Sequence, residues 1–382
     1  MAKAFDKLID QINKTYKSVT IVRAADSKLL ADVQRIRTGV LSFDIAIGGG
    51  VPRGRIIQLL GHESSGKSAL ALRIAGAFQR HCRNCSRPMF RWDEVLRVAK
   101  PRTCCKNPEP CRVVWLDIER SWTNRWAENL TVDTSKAYLV RADYAEQAID
   151  VADEVIRSGD CDLLVVDSVA ALTPAAEIEL SAEAKRMGLQ PKLMSETLRK
   201  WTSAQNVGGM IDHKAECTIA LINQIRFKIG VIYGSPETNP GGKALQHYAS
   251  ITARFKKGDF LGDEAGRPTG LEMECVVKKN KTAPPMRQAK FSLNFMNTGP
   301  YKLAGCSNHA EQVLALAVYW NLVKQGGSWY TLAKGVKYQG AEAAAEALCK
   351  PENAKVLKML EERIWKNEVA WLEGPSPDGE VG

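Results

Sequence analysis

Apolar positions fall into three regimes along this 382-residue chain. At Phe5, Leu8, Ile9, Ile12 and Tyr16 they recur every three or four residues, which is one stripe of an amphipathic helix. Such a stripe must be covered, either by the chain's own core or, as an arm, by something else; the run Val19-Thr20-Ile21-Val22 and the polar stretch after it suit an arm. From residue 55 to about 290, short β-branched runs alternate with helix-like stretches. That is the pattern of an α/β fold with a mostly parallel central sheet flanked by helices. Strands are predicted over 55–60, 113–117, 163–167, 218–223 and 274–278. Several end in a polar residue where the apolar run stops, at the carboxyl edge where open α/β sheets bind ligands. Beyond about residue 301 the text becomes Ala-rich, predicting helices over 311–322, 340–348 and 353–371 and a hairpin at Gly326-Gly327-Ser328-Trp329-Tyr330. The division this predicts is a helix and arm over 1–35, a core over 36–300, a small α+β C-terminal domain over 301–372 and a flexible Pro/Gly-rich tail over 373–382.

The strongest chemical signal is Gly61-His62-Glu63-Ser64-Ser65-Gly66-Lys67-Ser68, a full match to G-x-x-x-x-G-K-[ST] between a predicted strand and a helix over 69–80. Its glycines let the backbone wrap closely, so that N–H groups and the helix N-terminus face phosphate oxygens. Gly61, Glu63, Ser64, Ser65, Gly66, Lys67, Ser68 and Ala69 are therefore the nucleotide-binding candidates. Lys67 neutralises β/γ oxygens and Ser68 can ligate Mg²⁺. A second metal-side acid is needed, and Leu163-Leu164-Val165-Val166-Asp167 ends an apolar strand in Asp167. Hydrolysis also needs a base to orient water. Val113-Val114-Trp115-Leu116-Asp117-Ile118-Glu119 offers two carboxylates that alternation sends to the same side, so spacing leaves both open.

Composition adds limits. With 45% hydrophobic and 25% charged residues the chain is globular, and no apolar run approaches the roughly 18 residues of a membrane span. The N-terminus lacks a signal-peptide pattern, so a cytoplasmic location is expected. The formal net charge of +10 favours a polyanionic partner. Five of the ten cysteines, Cys82, Cys85, Cys104, Cys105 and Cys111, crowd into 80–112, a segment with nine Lys/Arg against three acids. A pair two residues apart followed by a second group about twenty residues on is zinc-ribbon spacing. The expected ligands are Cys82, Cys85, Cys111 and one of Cys104 or Cys105, with His81 in reserve. A redox-active thiol pair and a metal-free loop are the competing readings. With this excess charge the segment is expected to be a zinc-stapled, DNA-contacting or neighbour-contacting knob.

Taken together, the chain resembles the RecA family of DNA recombinases from its first helix to about Trp371, apart from two insertions, at 80–112 and between Trp201 and Thr218. The resemblance is carried by Thr38-Gly39-Val40-Leu41-Ser42-Phe43-Asp44-Ile45-Ala46, the P-loop, Val165-Val166-Asp167-Ser168-Val169-Ala170-Ala171-Leu172-Thr173-Pro174, Ile222-Asn223-Gln224-Ile225-Arg226, Gly234-Ser235-Pro236-Glu237-Thr238 and Lys279-Asn280-Lys281. It implies a RecA-like P-loop NTPase core using ATP and Mg²⁺, with Glu119 activating water, Asp167 as the Walker B acid and Gln224 sensing the γ-phosphate. Lys279 and Lys281 would reach a neighbouring subunit's γ-phosphate. DNA loops would correspond to 178–187 and 225–241, with Met187, Lys192, Ser195, Arg199, Arg226, Lys228 and Ile229 against single-stranded DNA. Departures also fall at functional places: Trp126 stands where the family stacks a tyrosine on adenine, Thr123 replaces an acid near the adenine amino group, and His247 and Lys243 replace an interface phenylalanine and asparagine.

The resemblance implies an ATP-dependent recombination protein that forms a filament on single-stranded DNA, through the N-terminal helix as a polymerisation arm. It would pair that strand with a homologous duplex and exchange strands in recombination, repair and the SOS response to DNA damage. Single-strand-binding and mediator proteins are implied partners. The rival readings are a hexameric helicase or motor on the same core, and a weakly hydrolysing ATP- and DNA-binding scaffold.

Overall fold

The computed structural model describes residues 2–15, 33–93, 98–178, 189–205, 217–227, 237–238, 240–263, 265–297, 304–305, 308–332 and 335–373. Its centre is a nine-stranded sheet built from β1 (Ile56–Gly61), β2 (Val113–Asp117), β3 (Ala137–Val140), β4 (Leu163–Asp167), β5 (Thr218–Gln224), β6 (Ile251–Lys256), β7 (Phe260–Gly262), β8 (Pro268–Asn280) and β9 (Gln288–Asn294). Strands β6-β1-β5-β4-β2-β3 run parallel in that spatial order. β1, β2 and β4 are apolar along nearly their whole length because a sheet covered on both faces offers neither face to water.

Period-two alternation then sorts their side chains. Ile57, Leu59, Val113, Trp115, Leu163, Val165, Ala220 and Ile222 enter one core with α1 of the central layer, the P-loop helix Lys67–Gln79. Ile56, Val114, Leu116, Leu164, Val166, Ile219 and Leu221 enter the other, with α2 (Ala145–Arg157) and α3 (Leu189–Gln205). A third cluster joins Leu41 and Ile45 to the C-terminal helices His309–Tyr319, Ala341–Cys349 and Ala354–Glu373.

The parallel expectation fails at one strand. The run at 274–278 belongs to β8, which is antiparallel to both β6 and β9; the short connection 281–287 returns the chain from β8 to β9 as a hairpin. The amphipathic stripe forms the helix Ala2–Thr15, with Phe5 and Leu8 exposed, while Tyr16 and 19–22 lie outside the described residues. Beside the hairpin strands Lys324–Gly326 and Trp329–Thr331 a third, Lys337–Gln339, completes a small sheet.

Candidate nucleotide and metal sites

All parallel strands present their carboxyl ends to one edge, and the chemistry collects there. β1 runs into the P-loop, which turns through Ser64 (φ 57°) and Gly66 (φ 81°) before α1 starts at Lys67. At Gly66 a Cβ would come within 2.7 Å of Met273, and its left-handed φ strains any L side chain. Lys67 Nζ donates to the His62 carbonyl at 2.5 Å and reaches Ser65 Oγ at 3.3 Å. Burial lowers its pKa, opposed by the charges of Asp167, Glu119 and Glu63. Ser68 Oγ lies 3.4 Å from Asp167 Oδ1, so hydroxyl and carboxylate share a side. Burial, reinforced by Glu119, raises the Asp167 carboxyl to about 7.

Geometry separates the two carboxylates that spacing left open. Asp117 is buried, accepts from the Ser121 and Trp122 amides at 2.9 and 3.4 Å, and pairs with Arg141 at 3.0 Å. Its lone pairs hold the turn after β2. Glu119 is exposed, accepts from Ser168 Oγ, and lies 3.4 Å from Gln224 Nε2. Lys67, Ser68, Glu119, Asp167 and Gln224 thus converge on one edge. Ser168 stands in the motif that carries the family resemblance but has no role assigned from sequence, although its place directly after Asp167 is a usable signal.

Other expected residues lie apart. Trp126, in the helix Asn124–Asn129, packs its ring 5.1 Å from that of Phe295, and exposed Thr123 precedes the helix in extended conformation. Lys279 and Lys281 stand at the end of β8, beyond β6, where both ammonium groups bond carbonyls closing the helix Gly242–Tyr248: Lys279 those of Gln246 and His247, Lys281 that of His247 at 3.2 Å. Burial and then Lys281 lower the pKa of Lys279. Lys192, Ser195 and Arg199 share the exposed face of α3, while Met194, Leu198 and Trp201 face the core. Arg226 pairs with Thr238 in a two-residue ladder. Met187, Lys228 and Ile229, and residues 206–216 of the second insertion, lie outside the described residues.

The cysteine segment begins where α1 ends. The Sγ atoms of Cys82, Cys85, Cys104 and Cys105 all lie within 4.8 Å of one another. Cys82 and Cys105 are 3.6 Å apart, and Cys104 and Cys105 3.9 Å. Four thiolates at about 2.3 Å from a tetrahedral Zn²⁺ would be separated by about 3.8 Å, whereas a disulfide requires about 2.05 Å. At Cys82 burial acts to raise the pKa, but backbone hydrogen bonds from Glu109, Asn84 and Cys85 outweigh it and bring the thiol to about 7. Cys104 is pushed up to about 12 by burial and the neighbouring thiols.

The expected ligand set needs correction. Cys104 and Cys105 both join the group and Cys111 does not, because it stands just before β2 and is carried into the core beneath the sheet, where burial raises its pKa. His81 is likewise buried, with Nδ1 2.7 Å from the Ala77 carbonyl and a pKa lowered to about 4 by burial.

Against known proteins, a family model described as the RecA N-terminal domain matches residues 3–87 and 103–299. It passes over 88–102, the middle of the cysteine segment. Proteins named RecA from Francisella tularensis, among them those of subsp. novicida strain U112 and subsp. tularensis strain SCHU S4, are 37% identical over 348 residues, covering 91% of this chain and 84% of theirs. A crystal structure of the RadB recombinase is similar at 18% identity and a TM-score of 0.45, over 70% of this chain and 98% of that one. Among the described residues no helix is long and apolar enough to cross a membrane.

Proposed function

This chain belongs to the RecA family, and from that premise we propose that it is a DNA-dependent ATPase that polymerises on single-stranded DNA, pairs it with a homologous duplex and exchanges strands. The observation that carries the reading is the convergence of Lys67, Ser68, Glu119, Asp167 and Gln224 at one sheet edge.

The P-loop amides and Lys67 would hold the β- and γ-phosphates of ATP. Ser68 and Asp167 suit Mg²⁺, a hard cation that takes oxygen ligands and spreads phosphate charge. Glu119 would accept a proton from the attacking water, held in place by Ser168. Gln224 ends β5 and touches Glu119, while its chain continues through Ile225, whose amide bonds the Gly61 carbonyl at 3.2 Å, into the candidate DNA loop. An amide there can donate to a phosphate oxygen and pass its position to that loop. Lys279 and Lys281, on the far side of β6, would serve a neighbouring copy's phosphate, and Lys192, Ser195 and Arg199 the strand's backbone. The stripe of Phe5 and Leu8 would be the polymerisation face, and the helices from His309 onward a small domain of their own.

The four-sulfur group fits structural Zn²⁺ held by Cys82, Cys85, Cys104 and Cys105. It would tie the turn 82–87 to the turn 104–107, already joined by the Asn84 Nδ2 bond to the Asn107 carbonyl at 2.8 Å. ATP turnover with and without single-stranded DNA tests the main reading. Stimulation by DNA that Lys67→Ala abolishes is expected; turnover indifferent to DNA would contradict it.

A further inference from the structure

We propose that the cysteine segment is a second DNA-contacting site, which grips the phosphate backbone of a duplex at the sheet edge opposite the nucleotide. The inference rests on the recombinase reading and on the segment being folded about its four-sulfur group.

Its position comes from its anchors. Arg53 precedes β1, Arg112 precedes β2 and Asp162 precedes β4, so all three mark the amino edge of the sheet. Buried Asp162 accepts from Arg53 at 2.6 Å and from the Arg112 amide at 2.9 Å, and pairs with Arg83 at 3.4 Å. Arg53 also donates to the Arg83 carbonyl and Ser86 Oγ, both at 2.8 Å, and Arg83 to the Gly159 carbonyl at 3.0 Å. The segment is therefore riveted to the core. The 13-residue helix α1 separates it from the P-loop, about 20 Å at 1.5 Å per residue. Strand β5 enters the candidate single-strand loop at the carboxyl edge, so DNA held here is a different stretch of DNA.

Charge names the class of ligand. The inward cations are used: Arg83 and Arg112 are shared among Glu109, Asp160 and Asp162, and Arg80 donates to the Thr131 carbonyl. Arg87, Arg102 and Lys106 are exposed, and none has a carboxylate partner among the described residues. Each stands within two positions of a cluster cysteine: Arg87 after Cys85, Arg102 before Cys104, Lys106 after Cys105. Backbone bonds fix two of them, with the Arg102 amide on the Met89 carbonyl at 2.7 Å and the Cys82 amide on the Arg87 carbonyl at 2.9 Å. Residues 80–112 carry nine Lys/Arg and three acids, a balance of +6. Zinc with four thiolates contributes −2, so about +4 survives metal binding. A fixed cationic surface of this kind reads phosphates without reading bases, and the duplex, with one charge per about 1.7 Å, matches it best. The matched family model omits 88–102, which holds Arg102, and Arg87 and Lys106 stand at and just inside the edges of the matched stretches 3–87 and 103–299.

The test is the triple variant Arg87→Gln, Arg102→Gln, Lys106→Gln in the full chain, which leaves every cysteine in place. Binding to a duplex lacking homology is measured by fluorescence anisotropy over a range of salt concentrations, beside zinc content and ATP turnover with single-stranded DNA. The expected result is a log–log salt slope shallower by up to about 2.7, three phosphates at about 0.9 each, with unchanged turnover and zinc. An unaltered slope, a change seen only with single-stranded DNA, or a loss confined to self-assembly without DNA would each overturn the proposal. Zinc-free protein that still shows the slope change refutes only the metal reading. DNA-independent turnover refutes the recombinase reading, whatever the slope.

Discussion

Two neighbouring carboxylates at the end of β2 should fail in opposite ways. Asp117 is fully buried and gives its oxygens to two amides and Arg141, so Asp117→Asn keeps the shape but loses the ion pair and weakens two charge-assisted bonds. Breaking a fully buried pair costs about 3–5 kcal/mol. Arg141 is half-exposed and can turn to water, which reduces the expected loss to about 1–3 kcal/mol. Over 382 residues, an unfolding entropy of about 2.1 cal/mol/K per residue makes that a fall in melting temperature of about 1–4 °C. Glu119 is exposed, and among the described residues its carboxylate hydrogen-bonds only Ser168 and Gln224. Glu119→Gln should therefore shift stability by less than about 0.5 kcal/mol, yet cut DNA-stimulated ATP turnover by about 10²- to 10⁴-fold. Thermal melts and a phosphate-release assay on both variants decide the matter. If Asp117→Asn loses turnover at an unchanged melting temperature while Glu119→Gln keeps its rate, the roles are reversed and the reasoning fails.

Asp167 predicts a pH effect. The folded carboxyl keeps its proton to about 7 and the unfolded one releases it near 3.9, so metal-free stability should decline as pH rises through that window. Asp167→Asn should therefore melt higher than wild type at pH 8 without Mg²⁺ while losing Mg·ATP turnover; a lower melting point would contradict the burial argument. A Cβ on Gly76 would lie 2.3 Å from the Thr131 carbonyl oxygen, so Gly76→Ala should lose about 1–3 kcal/mol by chemical denaturation despite its better helix propensity. Lys279→Ala with Lys281→Ala should leave nucleotide affinity of the lone subunit unchanged but lower turnover on long single strands, and weakened nucleotide binding without DNA would place the lysines in their own chain's site. Elemental analysis should find one zinc per chain, falling sharply in Cys105→Ser but not in Cys111→Ser.

What the sequence disclosed depended on how each residue is buried. Strands 113–117 and 163–167 are continuous apolar runs and appear at those bounds. The strand Ala137–Val140 escaped because it is an edge, with Tyr138 and Leu139 exposed. Ile251–Lys256 escaped because Arg254 and Lys256 interrupt its pattern. Asp117 and Glu119 share a side by alternation, and only the turn held by Asp117 and the reach of Ser168 tell them apart. Cysteine spacing located the cluster but not its membership, since Cys111 is drawn inward by the strand it precedes.

The most direct test of the account is strand exchange between a labelled single strand and either a homologous or a scrambled duplex, with ATP and Mg²⁺. Exchange with the homologous duplex alone is the predicted result. Equal separation of both duplexes would identify a motor, and DNA binding without any exchange would identify a scaffold; either contradicts the account.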